Sequence, residues 1–411
     1  MLAVSVPSEV RTIADQIKHL YKNKVEYAHL CAIISYFLFS KGSVCQAVRD
    51  LAFLPSVSTM TTQMKVLNPN RFMRRLRDSI TKSRDLNSCD WIYVLDDTSN
   101  PRYGDFFRTG YWGSSAGVYR GQKVMVVALV NLRTKKSYPI DYELIPKRTG
   151  KRSPKMHRHA RNLMDRVLRS GFPKLQVAAD SWFDSAAFIR SLERLGLTFV
   201  FQLKLNRRVK TNPGPNCRWL KLVDAFREVQ RKRTKTSWDS HRVKKGFKRG
   251  KAIAELHLII KNRRKSLKVI GVYERRNSKK AFGYYASTDQ SMSRARIWMI
   301  SRARWSIEVI FRCCKQHLSF GQLSCKGKNA AHLAVAMPFF LYCKLNDMCP
   351  DGLSVDRYLA MIRERSFQKT LDSVLHNSGS DRVQRLRVRR SPERVHRKPV
   401  SSSCGKERLV A

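Results

Sequence analysis

Between residues 90 and 205 the apolar residues fall into short runs, and the order of these runs constrains the fold more than any other feature of the chain. Strands are predicted at 91–95, 123–132, 138–145, 175–179 and 198–205, helices at 159–170 and 185–195, and turns at 114–120 and 133–136. This order predicts a mixed α/β sheet flanked by helices.

Two acidic residues follow two of these predicted strands. Asp96 comes directly after the first strand, and Asp180 comes directly after the fourth. The order strand, strand, strand, helix, strand, helix, strand is that of the RNase H-like fold, in which the first and fourth strands are neighbours. We therefore expect Asp96 and Asp180 to lie close together. A third acidic residue, Glu308, lies within 302–312, where the apolar spacing predicts a helix.

Three carboxylates in apolar surroundings need a cationic partner, because burying an unpaired charge is costly. Two divalent metal ions, held ~3.5–4 Å apart by carboxylates, are the usual apparatus for phosphoryl transfer on nucleic acid. The structural alternative is an Asp at a strand end, a helix N-cap at Asp180 and a salt-bridged Glu. The combination of three such residues in this topology favours a catalytic site.

The composition points to a polyanionic partner. The 411 residues include 81 Lys and Arg against 31 Asp and Glu, a formal net charge of +50. Such an imbalance destabilises a compact fold unless a polyanion screens it, and it favours association with nucleic acid. An anionic membrane surface and a ribosomal-type RNA partner are the alternatives. The cations pervade the whole chain instead of clustering in one tail, which favours nucleic acid.

The sequence predicts neither a membrane span nor a secretory signal. No run reaches the ~20 apolar residues that a span needs, and no apolar segment follows a basic N-terminus. The ten cysteines are scattered without a Cys-x-x-Cys pair, which argues against a zinc site or a disulfide framework and favours a reduced cytoplasm. His157 and His159 are possible metal ligands, although a loop facing phosphate is favoured among so many cations.

The remaining regions differ in pattern. Helices predicted at 43–51 and 58–67 have the outline of a helix-turn-helix, or equally of an ordinary helical subdomain. Further strands are predicted at 252–261, 266–275 and 282–287, and further helices at 293–315 and 330–344. The predicted organisation is a helical N-terminal DNA-binding region (1–88), an RNase H-like core (89–205), a basic β-rich insertion (206–290), the last core helices (291–350), a C-terminal helical segment (351–377) and a basic disordered tail (378–411).

The segment around Glu308 carries a specific spacing. Arg304, Glu308 and Lys315 follow the pattern Arg-x3-Glu-x6-Lys, which resembles the Tyr-x2-Arg-x3-Glu-x6-Lys signature of insertion-sequence DDE transposases. The segment 96–98 resembles the Asp-x-Thr motif of these enzymes, and 179–183 resembles their second block. The resemblance runs from about residue 90 to 345. One departure is Ser301, which stands where the signature has Tyr, a residue that helps to hold the DNA backbone in the family.

The resemblance implies the roles of the site residues. Asp96, Asp180 and Glu308 would be the catalytic residues and would bind two Mg²⁺ ions, for which Mn²⁺ can substitute. Asp97 is the alternative to Asp96, although the first Asp of the motif is the one that binds metal. Arg304 and Lys315 share a helical face with Glu308 and would hold DNA phosphates. Arg312, four residues after Glu308, would contact DNA or pair with that Glu.

The resemblance also implies how the chain would act. Family members can stack an aromatic residue of the insertion on a flipped base, and Trp219 and Trp238 are candidates, with a packing role as the alternative. The implied function is a DNA transposase that binds terminal inverted repeats, cleaves there and joins 3′ ends to target DNA, as a homodimer in the synaptic complex and with no membrane partner. A catalytically inactive or domesticated DNA-binding protein and an RNA-binding protein are the alternatives. The implied location is the bacterial cytoplasm, at the nucleoid.

Overall fold

The computed structural model describes the protein over the following residues: 6–21, 26–40, 43–51, 53–101, 107–114, 117–146, 156–211, 218–232, 238–241, 251–274, 278, 280–323 and 327–377. Residues 6–363 belong to one compact unit. The described residues of the second unit, 364–377, are helical. The predicted basic tail, 378–411, lies outside the described residues.

The N-terminal part is helical, as its apolar spacing predicts. Its helices are α1 (Ser8–Ile17), α2 (Tyr27–Phe39), α3 (Val44–Asp50), α4 (Val57–Val66) and α5 (Pro69–Ser83). Ser43 and Ser56 cap α3 and α4, since each hydroxyl accepts a hydrogen bond from a backbone N–H of the first turn. Met60 and Met64 of α4 face the core. The two helices predicted in this region are therefore present.

Helix α2 is apolar on all sides and is buried along almost its whole length, as expected of a helix inside a core. No single helix among the described residues is long and apolar enough to span a membrane, although α2 and α3, which are bent by 97° with respect to each other, meet that criterion as a pair on length and composition.

The centre of the protein is a mixed sheet of twelve strands. Its first part, in chain order, consists of β1 (Trp91–Pro101), β2 (Gly110–Ser114), β3 (Gly117–Asn131), β4 (Ser137–Leu144), α6 (Met156–Arg169), β5 (Gln176–Ala179), α7 (Ala186–Glu193) and β6 (Phe199–Leu203). Strand β3 lies between β1 and β4, and the order continues from β1 to β5 and β6. Strands β5 and β6 run parallel to β1. This is the predicted RNase H-like arrangement.

Strand β1 is longer than predicted. It continues past Leu95 to Pro101 because its second half pairs with the long strand β3. In this pairing, Thr98 of β1 faces Val124 of β3. Its parallel pairing with β5 ends where Leu95 faces Ala179. Asp96 therefore lies inside β1 and not at its end, while still marking the point where the parallel pairing stops. Asp180 directly follows β5, as predicted.

The turn predicted at 114–120 is wrong in its second half. Residues 117–120 belong to β3, which pairs with β2 from Gly110 to Ser114 in an antiparallel hairpin. Gly121 of β3 lies against the backbone of Asn100, where an added Cβ would come within 2.3 Å of the carbonyl oxygen. A glycine at this position lets the three strands approach closely.

The basic insertion extends the central sheet. It contributes β7 (Arg208–Lys210), β8 (Leu220–Lys221), α8 (Leu222–Lys232), β9 (Trp238–His241), β10 (Lys251–Ile260), β11 (Leu267–Tyr273) and β12 (Ala281–Ser287). Strand β12 pairs antiparallel with β6, so that β12, β11 and β10 continue the sheet beyond the core strands. The three strands predicted here are present, whereas α8 was not predicted.

Four helices end the described part of the chain, and the first three of them pack against strands of the sheet. They are α9 (Arg294–Ala303), α10 (Trp305–His317), α11 (Lys328–Met348) and α12 (Val355–Asn377). Residues 293–315, predicted as one helix, form two helices that are separated at Arg304. The N–H of Ile307 bonds to the carbonyl of Arg304, three residues back, which tightens the backbone at this junction. Helix α11 packs against β4 and α5, with Phe340 against Phe72 at a ring distance of 5.4 Å.

Candidate active site

Asp96 is a half-buried carboxylate in the middle of the sheet. Its side chain is 16% exposed, and its Oδ2 atom lies 3.3 Å from a guanidinium nitrogen of Arg304. Burial, followed by the negative charge of Asp97, raises the pKa of Asp96 to about 7, against the opposing effects of the Asp97 backbone N–H and of Arg304. A carboxyl group in this state gains from any cation that approaches it, because the cation stabilises the ionised form.

Arg304 joins Asp96 to Glu308. The same guanidinium lies 2.9 Å from Oε1 of Glu308, one helical turn further along. The break between α9 and α10 places the Arg304 backbone at the junction, and the side chain is 18% exposed between the two carboxylates. Glu308 thus pairs with Arg304 and not with Arg312. Among the described residues Arg312 forms no ion pair, and its side chain is exposed.

Asp180 completes the group of acidic residues on the sheet side. It follows Ala179, which is paired with Leu95 directly before Asp96, and its charge contributes to the raised pKa of Asp96. Its Oδ1 atom accepts a hydrogen bond from the N–H of Ser181 and so caps the short 3₁₀ turn Ser181–Phe183. The N-cap role and proximity to Asp96 are therefore both present.

The carboxylates do not form a closed ligand cluster. Within the described residues, no group of three His, Cys, Asp or Glu side chains is positioned to hold a metal ion. What joins Asp96 and Glu308 is the positive charge of Arg304. The cation at the centre of the site is thus the guanidinium of Arg304.

Asp97 has a different environment from Asp96. Successive residues of a strand point to opposite faces, and the carboxylate of Asp97 pairs with Lys123 of β3. Lys315 is half-buried, and its pKa is lowered by burial and then by the positive charge of Lys123. The sequence did not predict a role for Lys123, because nothing distinguishes this lysine from the many other cations. Lys123 comes to lie beside Asp97 only through the pairing of β1 with β3.

Ser301, at the position of the signature Tyr, faces a small cavity beside Arg304. The cavity has a volume of about 10 Å³ and is also lined by Ala179 and Tyr285. The Ser301 hydroxyl donates a hydrogen bond to the carbonyl of Trp298 at 2.8 Å. Burial raises the pKa of Tyr285, with Arg304 opposing this rise. A tyrosine from β12 thus lies in the space next to Ser301, a placement that depends on sheet pairing and that the motif spacing does not reveal.

The lack of space at Ser301 gives a stability prediction. Ser301→Tyr is expected to destabilise the protein by ~1–3 kcal/mol, because a cavity of about 10 Å³ does not hold a phenol ring and overpacking forces neighbours to move. Ser301→Ala, which adds no volume, is the matched control. Urea unfolding of both variants measures the difference. A Ser301→Tyr protein as stable as Ser301→Ala would contradict this account of the cavity.

The two tryptophans and two histidines lie outside this group. Trp219 precedes β8, with its side chain 37% exposed and the ammonium of Lys210 5.0 Å from its ring. Trp238 begins β9, and its side chain lies outside the described part of the chain. His157 and His159 are on α6 and not on a loop. His157 bonds to Ser185 at 3.2 Å, and His159 bonds to Glu143 at 2.7 Å.

Comparison with protein families identifies the chain. Residues 87–344 match the family model described as "Transposase DDE domain". The match covers more than half of the chain, so the protein belongs to the DDE transposase family and is a DNA transposase. This confirms the resemblance inferred from the three motif blocks. No match was found among curated proteins.

Several solved structures are similar at low identity. The piggyBac transposase synaptic complex with hairpin DNA is 11% identical, with a TM-score of 0.42 over 94% of this chain and 83% of that chain. The Drosophila P element transposase strand transfer complex is 10% identical, with a TM-score of 0.26 over 89% and 87%. Ciona intestinalis endonuclease V bound to DNA is 10% identical, with a TM-score of 0.29 over 62% and 90%. With TM-scores below 0.5, these likenesses add nothing to the assignment of the site.

Proposed function

We propose that the protein is an active cut-and-paste transposase that binds the terminal inverted repeats of its element, cleaves the DNA there and joins the 3′ ends to target DNA. The observation that carries the proposal is the meeting of Asp96 and Glu308 on the guanidinium of Arg304, with Asp180 following the adjacent strand. Asp96 and Glu308 thus share one guanidinium, and Asp180 lies close enough to Asp96 for its charge to raise the pKa of Asp96, where the parallel pairing of β1 and β5 ends.

The chemistry of the three side chains fits Mg²⁺, with Mn²⁺ as a substitute. Asp96, Asp180 and Glu308 offer hard oxygen ligands, which these ions prefer. Arg304 acts as a stand-in cation, because its charge lies between two of the three carboxylates. When bound, two such ions would activate the attacking water or 3′-hydroxyl and stabilise the leaving oxygen.

The cationic residues of the site have a positioning role in this proposal. Arg304 can exchange its contact with Asp96 and Glu308 for a phosphate oxygen, since guanidinium binds carboxylate and phosphate with the same geometry. Lys315 is half-buried, so its ammonium gains by pairing with an anion. Lys123 pairs with Asp97 and so neutralises the charge of that carboxylate. Positioning and charge account for most of catalysis in phosphoryl transfer.

The partners follow from the reaction. DNA is the substrate twice, as the terminal repeat and as the target, and the net charge of +50 favours its binding. Two ends must be held together, so a homodimer in the synaptic complex, with one copy for each end, is part of the proposal. The protein would act at the nucleoid of a bacterial cytoplasm.

The contrast between Asp96 and Asp97 tests the site. Asp96→Asn is expected to reduce DNA excision by ~10²–10³-fold or more, the scale on which the loss of one electrostatic stabiliser acts in other enzymes. Asp97→Asn, which removes only the partner of Lys123, is expected to retain most of the activity. The assay measures excision of a marker flanked by the DNA that borders the gene. A loss confined to Asp97→Asn would transfer the metal role to Asp97.

An inactive DNA-binding protein of the same fold is the second candidate. The observation in its favour is that, among the described residues, the carboxylates make no three-ligand metal cluster and Arg304 occupies the space between two of them. The excision assay separates the two functions. A protein that binds the bordering DNA but excises no marker with Mg²⁺ or Mn²⁺ would be the binder.

A further inference from the structure

A concave basic surface, here called the basic groove, lies in the insertion and at the end of α7. Its volume is about 960 Å³. Three elements form its walls: the end of α7, the β7–β8 hairpin and the turn between β10 and β11. Its cationic side chains are Arg190, Arg194, Lys210, Arg263, Arg264 and Lys265. Among the described residues that line it, Glu193 is the one carboxylate.

The groove retains a large positive charge after its internal pairing. Glu193 accepts two hydrogen bonds from Arg263, at 2.8 and 2.7 Å, and the side chain of Arg263 is 2% exposed. In this bidentate pair the charges of Arg263 and Glu193 neutralise each other, and the two hydrogen bonds fix the end of α7 to the turn between β10 and β11. Across the part of the chain that the structure describes, Arg194, Arg264 and Lys265 take part in no ion pair, and all three are exposed. Unpaired cations that converge from several elements indicate an anionic ligand.

The backbone of the turn is held in place. Asn262 has a φ of 67°, in the left-handed region that asparagine tolerates better than most residues. Its carbonyl accepts a hydrogen bond from Arg190, and Arg263 donates another to the carbonyl of Lys265 at 3.0 Å. On the opposite wall, the ring of Trp219 lies 5.0 Å from the ammonium of Lys210. The cations are thus presented by a fixed scaffold.

The sheet register places the groove opposite the candidate active site. Strands β5 and β6 are parallel, and Asp180 follows the carboxyl end of β5. Strand β12 is antiparallel to β6, β11 to β12 and β10 to β11, so the turn after β10 lies at the other edge of the sheet. Strand spacings of about 4.8 Å and a rise of about 3.3 Å per residue put the two sites on the order of 20–25 Å apart.

We infer that the basic groove binds the phosphate backbone of duplex DNA at a segment distant from the reacting phosphate. At about 3.4 Å per base pair, the separation corresponds to roughly six or seven base pairs along a duplex. The volume of the groove and its spread of unpaired cations suit several consecutive phosphates better than a single small anion. That the groove binds duplex DNA does not depend on the proposed function; that this DNA belongs to the mobile element does.

The test removes charge from the groove without touching the carboxylates. The triple variant Arg194→Gln, Arg264→Gln and Lys265→Gln would be compared with wild type in binding a fluorescent mixed-sequence duplex of about 30 base pairs. If the three cations contact phosphates, the slope of log affinity against log salt decreases in magnitude by about 2–3, since each phosphate contact contributes about 0.9. A matched control removes three exposed cations of α12, outside both the groove and the predicted DNA-binding region 1–88, by Arg357→Gln, Arg365→Gln and Lys369→Gln.

The outcomes separate this inference from the proposed function. A reduced slope in the groove variant, an unchanged slope in the control and recovery with Arg194→Lys and Arg264→Lys would support the groove. The same slope in the groove variant and in wild type would overturn it. The binding measurement needs no cleavage, so a failed excision assay would overturn the proposed reaction and leave the binding result for the groove valid.

Discussion

Glu308→Gln is expected to abolish excision, with a loss of at least ~10²–10³-fold. The substitution keeps the shape of the side chain and removes its negative charge, so Glu308 can no longer hold a divalent cation or pair with Arg304 as a carboxylate. The change is expected to leave the fold intact, because Glu308 is partly exposed and lies on a helix that is buried through other residues. The measurement is excision of a marker flanked by the DNA that borders the gene.

Arg312→Gln is the matched control for this prediction. Arg312 lies one turn after Glu308 on α10 and is exposed, and it has no ion pair among the described residues. It should therefore retain excision within about tenfold, the change that corresponds to one weakened phosphate contact or less. Equal excision by wild type and Glu308→Gln would remove Glu308 from the site, whatever Arg312→Gln does.

DNA affinity is expected to fall by ~10³–10⁵ between 50 and 200 mM salt, if six to ten cations contact phosphates. The physical cause is the release of counterions from DNA, which each phosphate contact adds to. With 81 Lys and Arg against 31 Asp and Glu, the chain has more than enough unpaired cations for such a contact surface. Fluorescence anisotropy of a duplex at several salt concentrations measures the slope directly.

The control for this salt slope is a comparison of two duplexes that differ in sequence. Phosphate contacts carry no sequence information, so a duplex with the bordering repeat and a scrambled duplex should share nearly the same slope and differ in absolute affinity. A slope near zero on both duplexes would contradict the assignment of the net charge to DNA binding and would point to a partner recognised by other means.

The order of the core elements could be predicted from sequence because each has a local pattern. The buried run 91–95 and the run 175–179 are apolar and bounded by turn residues or charge. Their pairing follows from the strand order alone, and it places Asp96 beside Asp180. The helix that carries Glu308 likewise follows from apolar spacing.

The contacts of Arg304 could not be predicted in the same way. The segment 293–315 has helical spacing throughout, and its division at Arg304 depends on packing against the sheet. Sequence spacing suggested Arg312 as a partner of Glu308, because residues four apart on a helix are neighbours in either direction. Glu308 pairs with Arg304 because the same guanidinium also contacts Asp96, which is 208 positions away in sequence.

The position of Trp219 has a similar explanation. The sequence predicted a β-rich insertion without its place relative to the core sheet, and the pairing of β12 with β6 makes it a continuation of that sheet. That pairing sends the turn after β10 and the hairpin with Trp219 to the edge opposite Asp180. The sequence pattern predicts how many strands there are. Which edge of the sheet each loop occupies depends on how strands that are distant in sequence pair with one another.

The most direct test of the proposed metal site at Asp96, Asp180 and Glu308 is to locate a divalent ion in the protein. Anomalous diffraction at the manganese edge, from crystals grown with Mn²⁺ and duplex DNA, shows the position of the ion without relying on activity. We predict manganese bound by Asp96, Asp180 and Glu308, with the guanidinium of Arg304 moved from between Asp96 and Glu308 onto a phosphate. Manganese absent from these three residues, with Arg304 still joining Asp96 to Glu308 beside bound DNA, would contradict it.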